Sequence, residues 1–340
     1  MKPVRGYIIL LILFLSFSAR AQQDILLTQQ HLSRININPA ATPVSNYANA
    51  FLIARQQWVG FQGAPSTQML NVHSYIEEVR SSFGLSIVND VVGRSRNLNI
   101  MLNYAYHLQV GHAGYLAFGI GVGVQNRRID GDLIFGQPET GVDFPDLFYG
   151  RRGMRPSANF GITYSTEDFA FGISATNLTR FFYNDDDWFR LPLHIYSFVE
   201  YGFYIGLTTR FTPRVQFMSA MGSATNRIAN NNGADTTNLN LLDRFDMVLD
   251  LGGTFSFFDR FFVGASFRND ATFSRNAGHT VSAMLAVNLG PNFRIGYSYD
   301  HNLGNAFQNA RTFGSHEIML NIRMRISETQ TSERTPRFFE

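Results

Sequence analysis

Apolar and polar residues alternate along the chain from residue 47 onward, in one segment after another. Close to the C-terminus the apolar side chains are Ile318, Leu320, Ile322, Met324 and Ile326, and the polar side chains between them include Glu317, Asn321, Arg323 and Arg325. Because successive side chains of a strand point to opposite faces, this pattern predicts β-strands with one apolar face and one polar face.

Fourteen segments of this kind are predicted as strands. They cover residues 47–58, 67–76, 81–90, 97–108, 114–126, 157–165, 168–177, 193–206, 213–222, 244–257, 260–269, 278–289, 292–301 and 315–326. Most of the segments are longer than usual soluble strands and are long enough for a tilted membrane strand. An even number of strands is typical of bacterial single-chain membrane barrels.

The connections between these strands alternate between short and long. Short connections are predicted at residues 77–80, 165–168, 258–259 and 290–291, and long ones at 127–156, 178–192, 223–243 and 302–314. A soluble β-sandwich is the alternative, but it gives no reason for loops to be sorted in this way. We therefore predict an all-β protein, a single antiparallel up-and-down transmembrane β-barrel with short periplasmic turns and long extracellular loops.

A barrel in a membrane exposes its apolar face to hydrocarbon, so the usual rule of burial is inverted. The side chains predicted to face lipid are Leu98, Ile100, Leu102, Leu116, Phe118, Ile120, Leu285, Val287, Ile318, Leu320 and Ile322. Finding these side chains packed between two sheets would instead indicate a sandwich.

The amino-acid composition excludes several classes of protein. Of the 340 residues, 16% are charged and 14% are aromatic, and Lys2 is the only lysine. An ordinary soluble domain has about 25% charged residues. The absence of cysteine excludes disulfides and thiolate metal sites, and a net charge of +2 without basic runs excludes a dedicated nucleic-acid binder. We expect no cofactor and no metal.

The first 21 residues have the features of a secretory signal peptide. Lys2 and Arg5 precede an apolar stretch at residues 7–17, and Ala19-Arg20-Ala21 is a small-x-small cleavage site. An uncleaved anchor is the alternative. Cleavage would begin the mature chain at Gln22, which is not a cysteine, so a lipoprotein is excluded.

The mature chain is predicted to have three parts. Residues 22–46 lack periodicity, and we expect them to lie at the periplasmic rim or to enter the lumen, with a disordered N-terminus as the alternative. Residues 47–326 form the barrel, and residues 327–340 form a C-terminal tail.

The short turn at residues 258–260 predicts a specific strand register. Both apolar faces must point to lipid, so facing residues must have matching parity. If Phe257 lies opposite Phe261, then Asp250 lies opposite Arg268 on the lumen face. We therefore predict an ion pair between Asp250 and Arg268, with two independently solvated side chains near the outer rim as the alternative.

Other groups with candidate chemistry have simpler interpretations. Asp185-Asp186-Asp187 offers carboxylates to a cation, but an acidic loop tip is the more economical interpretation because no spaced calcium loop is present. Ser315-His316-Glu317 suggests hydrolase chemistry, but neighbouring strand residues point to opposite faces. His107 falls on the polar face and is interpreted as a lumen hydrogen-bonding residue. Gly119, Gly121 and Gly123 suggest a smooth patch where another segment approaches closely.

Several motifs, taken in order, resemble those of the PorP/SprF family of type IX secretion-system outer-membrane proteins of Bacteroidota. The N-terminal element contains Asn38 and Pro39; the first hairpin contains Arg55, Gln57, Trp58, Gly60, Phe61, Gly63 and Pro65, and Asn89 and Asp90 follow; the closing hairpin contains Gly296, Tyr297, Tyr299, Asp300, His316 and Glu317. The resemblance covers most of the mature chain.

The resemblance implies a non-enzymatic accessory component in the outer membrane. Such proteins help particular cargo, often gliding adhesins, to reach or stay on the cell surface. The partners that it implies are a cargo protein with a C-terminal sorting domain, the secretion translocon and the periplasmic lipoprotein ring. A passive porin or solute transporter is the alternative, and a barrel hydrolase is a third class that the strand geometry disfavours.

Overall fold

The computed structural model describes residues 25, 27–111, 113–130, 150–182, 189, 191–221, 245–269, 279–303 and 313–326. The predicted signal peptide, the acidic residues Asp185 to Asp187 and the predicted tail lie outside these residues. Within the described part of the chain, no helix is long and apolar enough to cross a membrane.

The described chain is built almost entirely from strands. Their bounds are β1 (Tyr47–Gln56), β2 (Ser66–Ile76), β3 (Ser81–Val92), β4 (Ser95–Val110), β5 (Gly114–Ile129), β6 (Arg151–Ser165), β7 (Phe169–Thr176), β8 (Leu193–Tyr201), β9 (Phe203–Ile205), β10 (Thr209–Met221), β11 (Phe245–Phe257), β12 (Phe261–Asn269), β13 (His279–Leu289), β14 (Phe293–Asn302) and β15 (Ser315–Arg325). Short 3-10 helices occur at Gln30–Leu32, Glu77–Val79 and Leu178–Phe182.

The strands form one closed antiparallel barrel. Each strand pairs with its neighbours in sequence, except that β8 pairs with β10, and the first strand, β1, pairs with the last, β15, from Tyr47 opposite Arg325 to Gln56 opposite His316. The short strand β9 continues β8 beyond Gly202 and pairs with the start of β10. Since β8 and β9 both pair with β10 and follow each other along it, we count them as one strand. The barrel then has fourteen strands, as the alternation predicts.

Two predicted loop boundaries were wrong. The loop predicted at residues 127–156 is shorter, because β5 continues to Ile129 and β6 begins at Arg151. In this part of the sheet both faces carry polar residues, so the period-two pattern is lost while the backbone ladder continues. Likewise, β10 begins at Thr209 instead of residue 213, and Pro213 lies within the strand opposite Gly253.

The outward face of the barrel is apolar and exposed. None of the eleven side chains predicted to face lipid is buried, and Leu102, Leu285 and Ile318 are the most exposed of them, at 61%, 58% and 59%. Their sequence neighbours on the other face, such as Met284 and Met319, are buried. These exposures fit a barrel in a membrane and not a sandwich.

The lumen of the barrel is occupied by the chain that precedes β1. Residues 27–45, which we call the lumen segment, are almost all buried, although the described residues form no second sheet or helix layer around the barrel. The segment contacts β1, β14 and β15 on one side and β6, β7 and β8 on the other. A segment that touches opposite walls of a closed barrel crosses its interior.

Candidate functional site

Several backbone groups of the lumen segment form hydrogen bonds within the segment or with the barrel wall, without the regular pairing of a strand. Residues 30–32 form one 3-10 turn. Further along, the side-chain oxygen of Asn38 accepts a hydrogen bond from the backbone N–H of Ala40, at 2.9 Å. This Asx turn, followed by Pro39, bends the segment in the middle of the lumen.

One anchor of the lumen segment is a buried charge cluster on β1, β14 and β15. The guanidinium of Arg55 lies 2.6 Å from a carboxylate oxygen of Asp300 and 3.3 Å from one of Glu317. The backbone N–H groups of Thr28 and Gln29 donate to the two oxygens of Glu317, at 3.0 and 2.7 Å. All three charged side chains are at most 5% exposed.

The Thr28 hydroxyl completes this cluster by donating to Asp300, at 2.7 Å. A single guanidinium lies within reach of both carboxylates, and the segment supplies further donors to each of them. An unpaired charge in such a place would be costly. The cluster therefore favours the state in which the lumen segment is in place.

A second anchor lies on the opposite wall. Arg34, which is 0% exposed, forms a two-pronged ion pair with Glu200 of β8, with N–O distances of 3.0 and 2.8 Å. Its guanidinium also lies 4.0 Å from the centre of the Phe198 ring. Paired hydrogen bonds from one guanidinium to one carboxylate are among the strongest and most directional that proteins use.

Amide side chains fix the rest of the segment to the wall. The Asn38 amide donates to the Thr163 hydroxyl at 3.2 Å, and the Ser174 hydroxyl donates to the Ile37 carbonyl at 2.8 Å. On another strand, the Asn71 amide donates to the Ser33 hydroxyl at 3.0 Å.

Apolar side chains fill the space between these polar contacts. Leu27 packs in a buried cluster with residues of β1, β2, β3 and β15. Ile37 packs against Tyr196, Met218 and Val248 of β8, β10 and β11. The segment is thus held by apolar contacts as well as by charge.

Close approach of the segment requires glycine at particular wall positions. A Cβ on Gly119 of β5 would overlap the backbone of Pro39 and Ala40. Similarly, a Cβ on Gly296 of β14 would overlap the Gln29 side chain. The expectation that another segment approaches the β5 glycines holds for Gly119, whereas Gly121 and Gly123 are crowded by atoms of β4 and β6.

Six of the motif residues belong to this contact between segment and wall. They are Asn38, Pro39, Arg55, Gly296, Asp300 and Glu317. Arg55 from near the N-terminus thus meets Asp300 and Glu317 from near the C-terminus in one charge cluster, whereas Asn38 and Pro39 contact the opposite wall.

Other motif residues form a compact loop at the end of the first hairpin. Within residues 57–65, the N–H of Gln57 donates to the Pro65 carbonyl, and Trp58, Gly60 and Gly63 have positive φ angles of 47°, 96° and 77°. The loop is tied to its neighbours, because Val59 exchanges backbone hydrogen bonds with residues 313 and 314 and the Gly63 carbonyl accepts from Gly93. Phe61 remains 57% exposed.

The aspartate and asparagine that follow the hairpin lie on opposite faces of β3. Asp90 is buried and accepts a hydrogen bond from the Thr67 hydroxyl at 2.6 Å. Asn89 donates to the exposed Gln68 side chain. These contacts join β2 and β3 below the loop.

The structure separates the residues that had suggested hydrolase chemistry. His316 points outward, where its Nδ1 lies 2.7 Å from the Tyr297 hydroxyl and its ring contacts Tyr299, whereas Ser315 and Glu317 are buried in the barrel. His107 is buried, and its Nε2 lies 2.7 Å from the Ser82 hydroxyl.

The register of β11 and β12 is the one that the turn predicts, with Phe257 opposite Phe261 and Asp250 opposite Arg268. The Arg268 Nη2 lies 3.0 Å from a carboxylate oxygen of Asp250. Both side chains are largely buried on the lumen side of the wall.

Sequence reasoning missed Thr28, Gln29, Arg34 and Glu200 as contact residues. One signal was available: Arg34 is the only charged residue between residues 25 and 46. A single arginine in an uncharged segment that enters a barrel needs a carboxylate partner.

Among the described residues, no group of three or more His, Asp or Glu side chains could hold a metal ion. The Asp185 to Asp187 cluster lies outside the described residues.

Solved structures of similar architecture are outer-membrane barrels. The outer membrane protein Omp33 of Acinetobacter baumannii is 9% identical, with a TM-score of 0.44 over 82% of this chain and 98% of its own. The CymD monoaromatic hydrocarbon channel is 12% identical, with a TM-score of 0.45 over 88% and 92%. A Pseudomonas aeruginosa FadL homologue is 11% identical, with a TM-score of 0.44 over 83% and 89%. At these scores the likenesses carry no argument about function.

A comparison with curated proteins found no match. In contrast, the family described as "Type IX secretion system membrane protein PorP/SprF" matches residues 19–322, which is most of the sequence and includes the lumen segment. The chain therefore belongs to the PorP/SprF family of type IX secretion-system membrane proteins.

Proposed function

We propose that this protein is a non-enzymatic accessory component of the type IX secretion system that helps specific cargo to reach or stay on the cell surface through protein–protein contacts. The cargo would carry a C-terminal sorting domain, and gliding adhesins are one such class. Other partners would be the secretion translocon and the periplasmic lipoprotein ring. The signal peptide predicted at residues 1–21 would bring the chain to the outer membrane.

The observation that carries this proposal is the filled lumen. A passive porin needs a continuous polar channel, whereas here buried ion pairs join the lumen segment to opposite walls. Apolar residues of the segment also contact both sides of the barrel. An interior occupied in this way favours a barrel that works through its rims over one that works as a channel.

The rim of the first hairpin supports a role in partner binding. Its loop at residues 57–65 is fixed by backbone hydrogen bonds to two neighbouring connections and still exposes Phe61. An ordered rim with an exposed aromatic side chain is a suitable platform for a protein partner.

The geometry of Ser315, His316 and Glu317 supports a non-enzymatic role. The outward His316 cannot share a site with the inward Glu317 and Ser315. Glu317 is instead bound by the lumen segment and by Arg55 of β1.

The proposal is tested by deleting the gene and comparing the surface proteome with the uptake of small solutes. We expect one or a few secreted proteins to be lost from the surface, with permeability little changed. Co-purification from native membranes, followed by mass spectrometry, would then identify the cargo. An unchanged surface proteome with altered solute uptake would favour the porin alternative.

A further inference from the structure

Three outward-facing arginines form a row across β4, β5 and β6, close to the end that carries the long loops. Arg96 lies directly opposite Arg128, and Arg128 lies directly opposite Arg152. Directly opposed side chains in an antiparallel sheet have Cβ atoms about 4.5–5.5 Å apart, and like charges in such positions repel one another. All three side chains are exposed.

Within the described part of the chain, this row has only one acidic partner. Arg128 donates to Asp130 at 2.5 Å, and both side chains are about half exposed. Arg96 and Arg152, on either side of it, have no ion pair or side-chain hydrogen bond with a described residue. Arg94 follows in the adjoining turn and is also exposed. The row therefore keeps an excess of positive charge.

The inward face of the same strands shows that its arginines are accommodated differently. Arg127 donates to the Asn97 side chain at 2.8 Å, and both Arg127 and Arg155 lie over the Phe189 ring. The inward arginines are thus used in the protein's own packing. Among the described residues, the outward row has no counter-charge other than Asp130.

Directly below the row, the same face of the same strands belongs to the apolar band. The next outward positions after Arg96 are Leu98 and Ile100, and those before Arg128 lead down to Val124 and Val122. A lipid whose acyl chains lie along this band has its headgroup at the height of the arginines. Guanidinium groups suit phosphate, because their planar donors can bind two oxygens at once.

We propose that the row Arg96, Arg128 and Arg152 binds the phosphate groups of anionic glycolipids in the outer leaflet, of the lipid A type. The position of the row favours a membrane lipid, because the arginines face outward on the same strand faces as the lipid-exposed residues Leu98, Ile100 and Val124, with Asn126 as the one polar residue between Arg128 and Val124. The strand extension beyond the predicted boundary places these charges at the membrane surface, where continued pairing of β4, β5 and β6 holds them in register.

The test is native mass spectrometry of the purified full chain with diphosphoryl lipid A, in parallel with monophosphoryl lipid A and inorganic phosphate. We expect binding of diphosphoryl lipid A, weaker binding of the monophosphoryl form and no competition from millimolar inorganic phosphate. The triple variant Arg96→Gln, Arg128→Gln, Arg152→Gln loses all three guanidinium groups of the row. It should bind diphosphoryl lipid A at least about tenfold more weakly, which corresponds to a loss of about 1.4 kcal/mol in binding free energy.

A matched control changes three exposed arginines at the opposite rim, Arg80→Gln, Arg260→Gln and Arg325→Gln, and so removes the same charge. This control should keep wild-type affinity for diphosphoryl lipid A. The proposal fails if both triple variants bind equally, if the two lipid forms bind wild type equally, or if inorganic phosphate displaces the lipid. Should the outer-rim variant not fold, the comparison of the two lipid forms and of phosphate on wild type decides the question.

Discussion

Arg34 and Glu200 are a buried pair in which each residue depends on the other. The lumen segment contributes the guanidinium and β8 contributes the carboxylate, and neither side chain is more than 4% exposed. A buried pair of this kind stabilises little compared with apolar residues of the same size, but removing one partner leaves an uncompensated charge. The pair is thus a sensitive probe of whether the segment is seated.

Arg34→Met should lower the stability of the barrel by about 3–5 kcal/mol, because Glu200 would remain buried without its partner. The double variant Arg34→Met, Glu200→Met should recover much of this loss. Thermal unfolding in detergent, followed by the gel mobility of folded and unfolded protein, measures both effects. A loss in the double variant equal to the sum of the two single losses would contradict the pairing.

Gly119 is a steric probe of the same contact. Gly119→Val should destabilise the protein by about 1–3 kcal/mol, since the new side chain must displace the backbone of Pro39 and Ala40. Protease sensitivity of the lumen segment should rise with it. The control is Gly264→Ala, where the nearest atoms include the flexible end of Met284 and a smaller effect is expected. Equal effects at both glycines would show that the segment does not press on β5.

The strands were the most predictable elements, and their facing residues show why. Asp250 and Arg268 could be paired from sequence because a short turn and the parity of the apolar residues leave few registers open. The contact of Thr28 with Asp300 could not be predicted from the sequence, because it joins residues 272 positions apart and leaves no local pattern. The extension of β5 and β6 beyond their predicted ends could not be predicted for another reason: neither face of the extension is apolar.

The facing of β13 can be checked by spin labels, because the chain has no native cysteine. A label at Leu285→Cys should be much more accessible to oxygen dissolved in lipid than to a water-soluble nickel complex, as Leu285 is 58% exposed on the lipid face. At the neighbouring Met284→Cys, which is 2% exposed in the native chain, both reagents should have little access. The reverse order would overturn the strand assignment.

At the scale of the whole molecule, the lumen segment decides whether the barrel conducts. The wild-type protein in a planar bilayer should show no stable open-channel current, because residues 27–45 cross the interior. A variant that lacks residues 27–45 should conduct, provided that it inserts as a folded barrel. A large steady current from the wild-type protein would contradict a sealed lumen.

The charge cluster around Glu317 has a consequence for how the barrel is assembled. Its members stand on both sides of the seam where the first and last strands meet, with Arg55 on β1 and Glu317 on β15. Thr28 and Gln29 bridge these charges from within. If β1 and β15 paired before the lumen segment entered the barrel, Glu317 would be buried without the donors that Thr28 and Gln29 supply. We therefore expect closure of the seam between β1 and β15 to depend on the lumen segment being in place, because Glu317 otherwise loses two of its hydrogen-bond donors.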